Sequence, residues 1–145
     1  MKAQLTAITF AAIAAIPAAI AIAPIAQAQV IEASVAAQPS GDFVRKAKRL
    51  KGAYTVIERD GQTIIRFSDD FRAARGPDLK VFLSPKTVAD VTGKTAVDGS
   101  INLGELESTR GGQEYLVPEG VNLDDFASVL VHCEAYSVLW GGSDL

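Results

Sequence analysis

The sequence predicts an all-β fold, an antiparallel, jelly-roll-like β-sandwich forming a single domain behind an N-terminal signal peptide. Three observations carry that expectation. Short runs of β-branched and aromatic residues recur about every ten residues, as in sandwiches and barrels. Turn-forming residues separate the runs, and no helical stripe of any length interrupts them.

The first segment stands apart from the fold. Met1-Lys2 is a short positive start, Leu5 to Ile25 is uncharged and rich in alanine and isoleucine, and Ala26-Gln27-Ala28 places small residues before a cut at Gln29. This is the pattern of a secretory signal peptide, residues 1–28. A retained anchor needs roughly 20 strongly apolar residues; Pro17, Pro24 and the alanine content argue against one. The expected location is therefore periplasmic or secreted, with no stable membrane span after cleavage. The whole-chain mean hydropathy of +0.19 is inflated by this leader. Its loss removes Lys2, leaving 13 basic against 17 acidic residues and a net charge of −4. That balance gives no field for gathering nucleic acid.

Residues 29–40 are small and polar, a flexible tether, and the domain is expected over 41–145. Arg45-Lys46-Ala47-Lys48-Arg49-Leu50-Lys51 is a basic run, read as a solvated edge strand kept from aggregation by its charges, with an anionic polymer or lipid headgroup as the rival reading. Ala53 to Glu58 and Gln62 to Phe67 flank Asp60-Gly61, the best hairpin signal in the chain. Leu79 to Leu83 follows Gly76-Pro77-Asp78, where Asp78 organises a turn, and Pro85 ends it. Asn102 to Leu106 and Gln113 to Val117 are shorter strands, and Leu123 to Phe126 is one helical turn. Ser128 to Cys133 and Ala135 to Trp140 complete the set.

Several of these stretches together resemble a known family. Gly41-Asp42-Phe43, the Asp60-Gly61 hairpin, Asp70-Phe71, Gly76 through Ser84, Leu103 through Leu106, Gly112 through Pro118, and Ser128 through Leu145 occur in the order and spacing of the DM-thirteen domain (DM13), also called electron-transfer DM. The match covers nearly all of residues 41–145. The resemblance implies a β-sandwich and a redox role centred on Cys133. Two positions depart from the family pattern: His132, where a bulky aromatic residue is common, and the Gly141-Gly142-Ser143-Asp144-Leu145 ending.

The chain's own chemistry narrows that role. A blue-copper centre needs two imidazoles and a thiolate, and the chain has one histidine and one cysteine. The only methionine is Met1, and no Cys-x-x-Cys-His is present for haem attachment. A structural zinc site lacks ligands, and no cofactor is expected. Asp69-Asp70 and Asp124-Asp125 lack an EF-hand loop. Gly-x-Ser-x-Gly is absent, and nothing points to hydrolysis.

Cys133 is the one candidate site residue. In a regular strand neighbouring side chains face opposite ways, which separates its thiol from the His132 imidazole. Two settings stay open: a small buried hydrophobe among Val131 and Ala135, or a thiol turned outward by a bulge at Glu134 and free to form a mixed disulfide. His132 is expected at the surface, with a metal-binding or proton-transfer role as the lesser alternative. Of Tyr54, Tyr115, Tyr136 and Trp140, a set that could stack on a glycan, most are expected in the core. Two functions follow, an exported redox module acting through Cys133, or a non-enzymatic module binding a protein or glycan outside the cytoplasm.

Overall fold

A computed structural model describes residues 38–145; the expected leader and nearly all of the tether lie outside the described residues. The strands are β1 (Ser40–Asp42), β2 (Val44–Arg45), β3 (Leu50–Lys51), β4 (Ala53–Arg59), β5 (Gln62–Phe67), β6 (Arg72–Ala73), β7 (Leu79–Ser84), β8 (Ile101–Glu105), β9 (Gln113–Leu116), β10 (Ser128–Cys133) and β11 (Val138–Asp144). All pairings are antiparallel. One sheet runs β1-β4-β5-β9, the other β2-β11-β10-β7-β8, and β3 and β6 form a two-stranded ribbon. The only helical pieces among the described residues are single 3-10 turns at Leu123–Asp125 and Glu134–Tyr136. The all-β expectation holds.

The β4–β5 hairpin forms where Asp60-Gly61 predicts it. Both residues take positive φ, 53° and 76°, so the two-residue loop matches the twist of its strands. Arg59 then pairs with Gln62 and Tyr54 with Phe67, which aims Tyr54, Val56, Ile65 and Phe67 inward together. The facing sheet contributes Leu79, Val81, Leu83, Val129, Val131, Cys133 and Trp140 to the same core. Phe67 is its aromatic centre, with ring centroids 4.8 Å from Phe43, 4.8 Å from Phe71 and 5.1 Å from Tyr115. Burial of each such side chain stabilises the fold by about 1.5–3 kcal/mol.

Both faces of the five-stranded sheet are covered. Its outer face carries a second cluster of Phe82, Val88, Val91, Ala96, Leu130 and Leu139, roofed by the segment 85–100. That explains β10, whose six residues are all buried: a central strand covered twice is apolar at successive positions instead of alternating.

Three expectations need correction. Ala135 to Trp140 is not a strand throughout. Glu134–Tyr136 forms a 3-10 turn, Ser137 takes φ 49° in the left-handed region, and the final strand starts at Val138 and runs on to Asp144. The basic run is a strand only at its ends, Val44–Arg45 and Leu50–Lys51, with a bend across 46–48. The first strand already includes Ser40, and the Val56 amide donates to the Pro39 carbonyl at 2.8 Å.

Candidate functional site

Cys133 closes β10, with Leu79 of β7 and Val138 of β11 as its register partners. It is free, 0% exposed, and part of the inner apolar cluster. The strand reaches the sulfur unkinked on the β7 side, where the pairing from Ser128–Ser84 to Cys133–Leu79 is unbroken. The irregularity falls on the other partner. Val131 pairs with Gly141 and His132 with Leu139, so Trp140 is the extra residue of a bulge in β11. The bulge contemplated at Glu134 is absent; the turn there begins only after the thiol has been placed inside.

Trp140 packs inward, and its indole N–H donates to the Ala74 carbonyl at 2.8 Å. This ties down the Gly76-Pro77-Asp78 segment, which passes beside it. The Glu134 amide then donates to the Asp78 carbonyl at 3.1 Å, closing the chain over the Cys133 end of the sheet. On the opposite face Lys80, the partner of His132, is held by Glu134 and by Asp78, the latter at 3.4 Å. The hydrogen bond to Glu134 is the main cause that raises the Lys80 pKa above the usual lysine value.

His132 is corrected from surface to interior. It is 1% exposed and lies on the outer face, edge-on to Phe82 with centroids 6.0 Å apart. Its Nε2 is 2.8 Å from the Gly93 carbonyl. A carbonyl only accepts, so Nε2 is the donor in this contact. The Nδ1 atom is buried with no partner. The imidazole and thiol therefore look in opposite directions, and no Cys–His pair forms.

Sequence reasoning missed the contact between His132 and Gly93. Gly93 packs against the Ser137 carbonyl so closely that a Cβ there would collide with it, and the roof segment meets the 134–137 turn at this point. The unbroken apolar run in β10 was the available signal, since burial on two faces requires something to cover the second. Among the proposed aromatic face, Tyr54, Tyr115 and Trp140 are core and only Tyr136 is exposed. Among the described residues, no group of three or more His, Cys, Asp or Glu side chains could hold a metal ion.

No curated protein and no solved structure matches the chain. The family model described as electron transfer DM13 matches residues 42–144, from the last residue of β1 to the end of β11. The GPD segment, the hairpin and the cysteine strand all lie within that span, and the chain belongs to the electron transfer DM13 family.

Proposed function

We propose that this chain is an extracytoplasmic binding module, delivered by a leader cut after residue 28, in which Cys133 is a packing residue. It would present its loops to a protein or glycan partner and catalyse no reaction of its own. The supporting observation is the complete burial of Cys133 between Leu79 and Val138 in the inner core. A thiolate nucleophile works from a partly exposed, electropositive setting, which this position does not offer.

A second reading is favoured by the family's description, electron transfer. Cys133 directly precedes the exposed residues Glu134 to Ser137. Opening of that turn would bring the sulfur to solvent, where its thiolate could attack a partner's disulfide and release the partner's second thiolate. Maleimide labelling of the folded, leader-free protein separates the two. Protection until denaturant is added supports the packing role, whereas modification at the rate of an unfolded thiol supports disulfide exchange. In the packing role Cys133→Ser leaves partner binding intact and lowers stability by about 1–3 kcal/mol for a buried hydroxyl.

A further inference from the structure

The outer face of the five-stranded sheet opens into a groove of about 420 Å³, within the roughly 300–1,000 Å³ typical of small-molecule sites. Its floor and walls are Val91, Gly93, Val138 and Leu139, and Lys46 and Ala47 form its opposite lip. Val91 and Leu139 extend there from the outer apolar cluster. The lip is fixed by backbone, with the amides of Lys46 and Ala47 donating to the carbonyls of Trp140 and Leu139 at 2.8 and 3.2 Å.

Lys46 is the charged residue that lines this groove. Lys51, Arg59, Arg66, Lys80 and Lys86 each have a carboxylate within 4.0 Å. Arg45, Lys46, Lys48, Arg49, Arg72, Arg75, Lys94 and Arg110 have no such partner among the described residues, and of these Lys46 lines the groove. No acidic side chain lines the groove. The groove thus sets one uncompensated cation at the lip of an apolar slot, and such a slot selects an anion with an apolar body.

We propose that this groove binds a single anionic amphiphile, its carboxylate-type head at Lys46 and its chain along Val91 and Leu139. Gly93 joins this site to the interior, because its carbonyl meets His132 Nε2. The one imidazole of the chain is therefore a built-in reporter of occupancy. The proposal does not depend on the state of the Cys133 thiol.

The test titrates decanoate, below its micelle concentration, into isotope-labelled, tag-free protein and follows the His132 imidazole and the amides of 46–47, 91–94 and 137–139 by NMR. Saturable one-site shifts confined to these residues are expected. Lys46→Glu, and Ala47→Trp, which fills the groove from an exposed position, should each weaken binding at least about tenfold, as should an uncharged decyl maltoside head. Arg110→Glu, outside the groove, should leave binding unchanged. Shifts that do not saturate, equal binding of the uncharged amphiphile, undiminished binding in Ala47→Trp, or a response only to anionic phospholipid vesicles would each overturn the proposal.

Discussion

The two faces of the five-stranded sheet carry neighbouring residues to opposite fates. On the inner face Cys133 joins an aromatic core closed by the second sheet, where Tyr115 donates to Gln113 Oε1 at 2.6 Å and Trp140 to Ala74. On the outer face His132 lies under an irregular segment, keeps one ring nitrogen unpartnered, and borders an open groove. One face is sealed by a sheet and the other by a loop, and a loop seals less completely. The groove proposed to take an amphiphile therefore lies on the loop-covered face, since a close-packed interior leaves no room for a ligand.

If the inner face carries the greater share of stability, its truncation should dominate. Phe67→Ala removes the ring that meets Phe43, Phe71 and Tyr115, and urea unfolding should show a loss of about 3–5 kcal/mol. A loss as small as that of a surface residue would break the comparison. Gly93→Ala tests the other side: its methyl group collides with the Ser137 carbonyl, at a cost of about 1–3 kcal/mol. Hydrogen exchange should then quicken around 85–100 and at Leu139 while the β4–β5 hairpin stays protected. Uniform loss of protection would show that the two faces are one cooperative unit.

The smallest effect is one of pH. Burial is the main cause pushing the Tyr115 phenol up to about 12, and burial with the Asp144 charge also raises Tyr54. Unfolded tyrosine ionises near 10, so above that pH the unfolded chain releases protons that the native state retains. Stability present below pH 10 should fall as pH rises toward about 12. Alkaline denaturation followed alongside tyrosinate absorbance checks this, and Tyr115→Phe should shift the midpoint upward.

Much of the fold was legible because local chemistry and tertiary need agree. Asp60-Gly61 accepts the positive φ its hairpin demands, and alternation in 53–58 and 62–67 places the right side chains inside. The opposed directions of His132 and Cys133 followed from strand geometry alone. The burial of His132 did not, because it depends on a roof, 85–100, with no hydrophobic period, whose turn signal Asp98-Gly99 marks a turn without saying which face it covers. The 3-10 turn at Glu134–Tyr136 was hidden for a related reason. Its residues suit a strand, and the sharp turn is fixed by closure onto Asp78 and Gly93, both distant in sequence.

The position of β11 has a consequence for biosynthesis. This last strand lies between β2 and β10, and the Asp144 carbonyl accepts the Tyr54 hydroxyl from across the sandwich at 2.9 Å. A nascent chain, growing from its amino end, therefore holds β10 with one backbone edge bare and apolar until residue 144 has emerged. Such an edge invites pairing with another chain, so the sheet is closed only once β11 has been made and has paired with both β2 and β10.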